Sequence, residues 1–415
     1  MPIRFIAATA AVFHLAIAGA DASENHPLSL AEAVLLAGQG EDPSIASWTA
    51  RADALEHRGE AEQALPDTML RVGMANLPLS DLDPNREAMT QIQLGVRQMI
   101  PRGETRDLQR ARRYAQAGAA RANGELEARV ITRAVRLAWL ETYYWEHAAD
   151  LTRARRDEIR QLSEVAVALF ASGGGNSHDV IRVELETALL DTRLIEIDRN
   201  IGTSRAQLAR YVGMENAGRD VLGQLPVLPV LPTPGRAVEA LSQHPAVRAG
   251  NARVEASQRD IDIALEAYRP RWSVDAGYGL RDSRSDVASV GVSVEMPLFS
   301  RRRQDEGVAG ARDARSAEEM NRQALLLDLR RQLDTLHVQH SRYSETVVIY
   351  ESTVQSRALE TVEAVMAAYE NEQADFAEVV RSELALLDIE LTLIRTRVDA
   401  LKAQSQILFL TGDVQ

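Results

Sequence analysis

Cysteine is absent from the 415 residues, which excludes disulfide frameworks, thiolate metal centres, cysteine nucleophiles and a lipid-modified amino-terminal cysteine. Any anchoring must come from the fold. Lysine is nearly absent too: Lys402 is the only one, so positive charge is arginine, which reads as compositional bias and not as a site. Basic residues are outnumbered 47 to 60 and the net charge is -13, which argues against a phosphate-binding surface and against nucleic acid as a partner. No window beyond the amino terminus approaches the ~20 uninterrupted apolar residues of a membrane-spanning helix. If the chain crosses a membrane, it must do so with strands. What is there, 45% hydrophobic and 26% charged, is the composition of a folded protein and rules out disorder and collagen-like fibres.

Residues 1–22 read as a secretory signal peptide. Arg4 supplies the charge, 5–18 the apolar stretch, and Ala18-Gly19-Ala20 or Ala20-Asp21-Ala22 the small-residue cleavage site. A buried apolar helix would share this composition, but the position at Met1 and the polar segment 24–27 favour the signal.

The rest of the chain reads as an internal duplication, 23–222 and 235–415, joined by a linker at 223–234. Ala31-Glu32-Ala33-Val34 is answered by Ala237-Val238-Glu239-Ala240, and Asp179-Val180-Ile181 by Glu378-Val379-Val380. In the linker Pro226, Pro229, Pro232 and Pro234 prevent regular helix and stiffen an extended connection. Each half repeats one order of elements. A helix bounded by prolines comes first, 43–65 and 245–268. Two alternating runs follow, expected as strands at about 68–76 and 89–99, then at 272–280 and 287–296. Polar, turn-rich segments between them predict hairpins.

A soluble sandwich would also alternate, but four strands among long helices have nothing to cover them. An outward-apolar, inward-polar membrane barrel fits better, and it puts Ile92, Leu94, Val96, Val290, Val292 and Val294 against lipid. Four strands cannot close a barrel, since at least about eight are needed. Three copies would supply twelve.

Long helices are expected over 104–171 and 301–370, free of proline and rich in Ala, Arg, Leu and Glu. Return helices follow at 179–211 and 377–410. Both return helices carry unbroken heptads, Val180 to Tyr211 and Val380 to Leu408, and a second apolar stripe beside each, from Ile181 and from Val379. Two adjacent seams suit a helix with a neighbour on each side, as in a cylinder, though a bundle would explain them as well.

No enzyme chemistry emerges. His337 and His340 stand at i, i+3 without further ligands nearby, so no metal site is expected. Gly173-Gly174-Gly175 lacks the lysine of a phosphate loop and reads as a helical turn. Trp139, Tyr143, Tyr144 and Trp145 read as packing in mid-helix. No catalytic residue and no cofactor is expected.

The chain resembles the TolC family of trimeric outer-membrane efflux ducts over essentially its whole mature length. The resemblance is carried by Leu28-Ser-Leu-Ala-Glu-Ala-Val34 with Pro43, by Gln98-Met-Ile-Pro101-Arg-Gly103, by Met296-Pro-Leu-Phe299 with Arg301-Arg-Arg-Gln304, and by two turns. Phe170, Gly173, Asp179, Val180 and Ile181 match the family turn, with Asn176 at its Ser/Thr position; the second turn keeps Tyr369, Glu378, Val379 and Val380 but has Glu372 for glycine and Asp375 for the hydroxyl residue. The segments 98–103 and 297–304 resemble those of the CzcC-like and CusC-like heavy-metal efflux branch, although Glu104 stands where many of that branch carry lysine.

The resemblance implies a mixed, mainly α fold: a homotrimer whose four strands per chain complete a 12-stranded barrel in outer-membrane lipid, continuous with a long periplasmic α-helical barrel. It implies a passive duct of a Gram-negative outer membrane, working with a periplasmic adaptor protein and an inner-membrane pump of the resistance-nodulation-division (RND) type to export toxic small molecules or heavy-metal cations. It also implies a periplasmic tip where the adaptor docks and the pore narrows. Gly173, Gly174, Gly175, Asn176, Glu372 and Asp375 fall there as docking candidates, and Asp179, Arg182, Glu370, Glu378 and Arg381 as gate candidates. The competing reading is a periplasmic coiled-coil adaptor or scaffold without a barrel.

Overall fold

The computed structural model describes residues 26–413 apart from Glu41, Asp81, Gly173, Gly174, Gly175, Leu222, Ser283 and Glu372. The expected signal peptide therefore lies outside the described residues, as do four of the tip candidates. The first half runs α1 Leu30–Gln39, α2 Pro43–Gln63, β1 Met69–Ala75, β2 Gln91–Ile100, α3 Thr105–Ala171, α4 Ser177–Val212 and the short α5 Met214–Ala217. The second runs α6 Pro234–Leu241, α7 Pro245–Glu266, β3 Arg271–Leu280, β4 Val287–Glu295, α8 Gln304–Ile349, a π-helical turn Tyr350–Val354, α9 Gln355–Glu370 and α10 Phe376–Thr411.

The helix ends are set by local chemistry that recurs in both halves. Asp42 and His244 each cap the following helix, accepting from the amides of Ser44 and Ala246, and a proline opens each helix with its φ preset. Both return helices end on a glycine at positive φ, Gly213 at 84° and Gly412 at 85°, a conformation that side chains with a Cβ resist. The boundaries of the two long hairpins repeat at a fixed offset of 199 residues, 105 and 304, 171 and 370, 177 and 376, 212 and 411. Five residues separate the paired helices at each tip.

One long helix departs from the expected pattern. The stretch 301–303 forms turns, and the helix begins at Gln304. At Tyr350–Val354 it widens into a π turn, directly after the four β-branched residues Thr346, Val347, Val348 and Ile349, which crowd one another around an α-helical backbone.

The helices stand side by side as four columns. α2 and α4 stack along one flank of α3, and α7 and α10 along the other; α8 and α9 lie beyond α7 and α10. Two shorter helices thus match one long one. The strands form one antiparallel sheet in the order β1-β2-β3-β4, so the β2–β3 pairing joins the two halves. The main core lies at mid-height, where Leu28, Leu30, Ala33 and Leu228 pack on Ile131, Val135, Trp139 and Tyr143 of α3, and the Trp139 indole donates to the Leu28 carbonyl at 2.8 Å.

Candidate functional site

The sheet divides its side chains by chemistry. The register sets Leu70, Val96, Ala276 and Val290 in one row, and Val72, Leu94, Tyr278 and Ala288 in the next; Ile92, Val292 and Val294 share this face. Its large apolar side chains are exposed, Leu70 at 80% and Val290 at 81%. Trp272 and Tyr278 stand toward opposite ends of β3 on the same face. The other face carries Arg71, Gln93, Arg97, Asp275, Ser289 and Ser293, with Arg97 paired to Asp275. Glycines sit on this polar face, Gly95 opposite Gly277, and a Cβ on Gly277 would meet the Ser289 hydroxyl at 2.7 Å. A contiguous apolar surface of this size marks contact with lipid or protein.

The helical wall is covered unevenly. In α10 both predicted stripes are buried, Val379, Leu386, Leu393 and Ile407 as well as Val380, Leu387, Leu391 and Val398, because α3 and α8–α9 flank it. In α4 the heptad seam Val183, Leu190, Leu194 and Ile197 is buried against α3. Its second stripe is bare: Ile181, Leu185 and Ile195 are exposed, Ile195 at 71%. The far flank of the wall, α8 and α9, likewise exposes Met320, Leu327, Val338 and Leu359. Sheet and wall therefore both end in unfinished edges.

At the tip, Asp375 is the N-cap of α10, and its carboxylate accepts from the Glu378 amide at 2.8 Å. Asn176 is the N-cap of α4, and Asp179 lies in its first turn, 3.2 Å from His178. Tyr369 and Phe376 stack edge to face across the second turn, and burial raises the Tyr369 hydroxyl above its ordinary range. Glu370, Glu378 and Arg381 are exposed and Arg182 is half-buried. Neither Arg182 nor Arg381 meets a carboxylate among the described residues.

The ion pairs that tie the two hairpins together lie higher, and sequence reading missed them. Arg155 of α3 reaches Glu383 and Glu390 of α10, the latter at 3.2 Å, and Glu158 on its own helix at 2.7 Å. Burial pushes the Glu383 carboxyl above the usual range while the Arg155 charge opposes that shift. Arg193 bridges to Asp388 at 2.9 Å. The i+3 and i+4 spacings that a sequence displays say nothing of partners 195 to 235 positions away.

One meridian of α3 is open. Ala134, Leu137, Glu141 and Trp145 line a groove of about 780 Å³ with Asn200, Gln207 and Lys402, on the side of α3 opposite Trp139. The lone lysine is thus placed: its ammonium pairs with Glu141, which also accepts from Arg395 at 3.0 Å and from the Trp145 indole at 2.8 Å. Of the aromatic cluster, Trp139 and Tyr143 are buried as packing, whereas Trp145 faces this groove. A second groove on the same meridian lies between α2, α3 and α7. On α8, His337 Nδ1 lies 3.0 Å from the Leu333 carbonyl, and burial lowers the pKa of His340. Among the described residues no group of three or more His, Asp or Glu is placed to hold a metal ion.

No protein-family model and no curated protein matches the sequence. The structure has counterparts among solved ones. It is similar to the outer-membrane channel OprN, at 16% identity and a TM-score of 0.78 over 93% of this chain and 90% of that one. It is similar to the outer membrane protein VceC of Vibrio cholerae, at 16% identity and 0.77, covering 93% and 97%. A third likeness is to CusC, described for its folding and transmembrane channel formation, at 11% identity and 0.79, covering 93% and 92%. At these identities the likeness establishes the fold, long helices with a small four-stranded antiparallel sheet in the TolC-like arrangement.

Proposed function

We propose that three copies of this chain form a passive exit duct in the outer membrane, with a 12-stranded barrel in lipid and the helical columns closed into a periplasmic cylinder. The observation that carries this reading is the pairing of unfinished edges. β1 and β4 each present an open edge, and the bare stripe of α4 and the bare flank of α8–α9 stand at opposite sides of the same wall. A head-to-tail contact between such edges closes into a ring when the rotation per copy is right. Two copies would supply eight strands, a barrel whose interior side chains fill, so three copies are the smallest number that leaves a lumen.

On this reading residues 1–22 direct export, and Ile92, Leu94, Val96, Val290, Val292 and Val294 face lipid. The duct works with a periplasmic adaptor, docking at Asn176, Asp375 and the neighbouring turn residues, and with an RND-type pump that drives toxic small molecules into it. Heavy-metal cations are the cargo that resemblance to the CzcC-like and CusC-like branch implies. Threefold symmetry multiplies Glu370, Glu372, Asp375 and Glu378 into carboxylate rings, which favour small cations at a constriction. Arg182 and Arg381, which meet no carboxylate among the described residues, would face carboxylates of the next copy.

The test is extraction of the protein from outer-membrane fractions with detergent, followed by mass determination of the protein–detergent complex. A detergent-dependent trimer is expected. A monomer or dimer released without detergent would instead indicate the periplasmic scaffold.

A further inference from the structure

The second groove on the open meridian of α3 holds a feature at odds with the acidic chain around it. Arg51 and Arg58 of α2 and Arg253 of α7 line it together, above a floor of Trp48, Leu55 and Ala120. Its volume of about 440 Å³ falls in the range of small-molecule sites.

The three guanidiniums are left out of the close ion pairs around them, although the Arg58 charge also acts on Glu62 at longer range. Each interacting carboxylate of α2 is already taken by an α3 arginine: Glu56 by Arg121 at 2.6 Å, Glu60 by Arg110 at 2.8 Å and Glu62 by Arg113 at 2.6 Å. Asp260 of α7 is likewise held by Arg112 at 2.9 Å. Among the described residues Arg51, Arg58 and Arg253 form no ion pair. Arg51 lies over the Trp48 ring at 4.6 Å, so an indole and a guanidinium meet at the groove. Such a wall suits a ligand with an aromatic plane and an anionic group, because guanidinium binds sulfonate, carboxylate and phosphate oxygens through paired donors.

The position follows from helix geometry. At 3.6 residues per turn, Gln116, Ala119 and Asn123 fall on the same side of α3 as Ala134 and Glu141, roughly opposite the stripe on which α1 packs. In the duct proposed above, on which this inference rests, that side is the inner wall. The groove is built within one chain, so assembly does not cover it.

We propose that this groove binds organic anions carrying an aromatic ring, and that the cargo of the duct includes molecules of this class. Ion preference at the acidic tip and cargo binding here are separate: the former acts on small ions at a constriction, the latter on a molecule resting against the wall above it.

The probes are naphthalene-2-sulfonate and its cationic match, 2-naphthylmethylammonium, added to the full-length protein in planar bilayers. The sulfonate is expected to reduce single-channel conductance at a lower concentration than the ammonium. The variant R51Q/R58Q/R253Q should raise the half-blocking concentration of the sulfonate, read as the fraction of that variant's own open-channel conductance, by about tenfold or more, the loss expected when charge-assisted contacts are removed. Trp48→Ala should weaken sulfonate block with all three arginines in place. Equal block by the ammonium, or equal sulfonate block of the triple variant, would overturn the proposal. Absence of any conductance in the wild type would sink the duct reading instead; calorimetric titration of both naphthalene probes into the detergent-purified protein then decides for the groove alone.

Discussion

Asp42 and His244 occupy the same place in the two repeats and are held in opposite charge states. Asp42 caps α2 and is gripped by Arg210 at 2.8 Å, which, with the bonds from Ser44, holds its carboxyl well below the usual carboxylate range. His244 caps α7 with Nδ1 as acceptor and is 1% exposed beside Phe409; burial, with the Arg129 charge second, lowers its pKa to about 4. The first cap is built to stay charged and the second to stay neutral.

This makes the second cap acid-sensitive. The neutral imidazole favoured in the folded state contributes stability that is full above the unfolded value of about 6.5 and is lost as pH falls through 6.5 toward 4, amounting to about 3 kcal/mol in all. Asp42 fails later, as pH falls below the ordinary carboxylate range. His244→Asn keeps a capping side chain without the titration, so the variant should lose less stability than wild type between pH 6.5 and 4. Thermal unfolding across that window reads the difference, and parallel pH profiles would refute it.

The apolar sheet face predicts a sided response to charge. Val292 lies on it and is exposed, while the adjacent Gly291 points to the polar face with Asp275 Cβ at 3.9 Å from an added Cβ. Val292→Arg should cost roughly 2 to 4 kcal/mol near a bilayer midplane and lower the yield of membrane-inserted assembly. Gly291→Arg should be tolerated. Equal yields, measured by heat-modified gel mobility, would count against a lipid-facing sheet.

The two stripes of α4 should separate folding from assembly. Leu194 is buried against α3, and Leu194→Ala should cost about 2 to 5 kcal/mol of fold stability, as should Leu391→Ala in α10. Ile195→Asp, one residue along, should leave helix content intact and reduce the trimer fraction. Circular dichroism with sedimentation distinguishes these outcomes; a trimer indifferent to Ile195→Asp would mean that the bare stripe is no interface.

Arg155 is expected to hold the two hairpins together. Arg155→Met strands Glu383 and Glu390 against a partly buried surface, a loss of about 3 to 5 kcal/mol when one partner of a buried pair is removed. Adding Glu383→Gln to Arg155→Met should recover part of it, because less uncompensated charge remains. Failure of the double variant to unfold at a higher temperature than Arg155→Met would show that the cluster contributes through packing alone.

What the sequence determined by itself was the local pattern and its duplication. Proline at 43 and 245 and the heptads of the return helices act through backbone sterics and neighbouring side chains, so they are legible without a fold. Alternation over 91–97 and 289–295 likewise showed two chemically distinct strand faces. The tertiary structure alone decided which partner each surface meets. It set Gly95 opposite Gly277, covered both stripes of α10 but one of α4, gave Lys402 to Glu141 and Arg155 to Glu383, and left Arg51, Arg58 and Arg253 together on one wall. Those choices depend on distances between residues far apart in the chain, and burial changes the energy of a charge only once the neighbours that exclude water are in place.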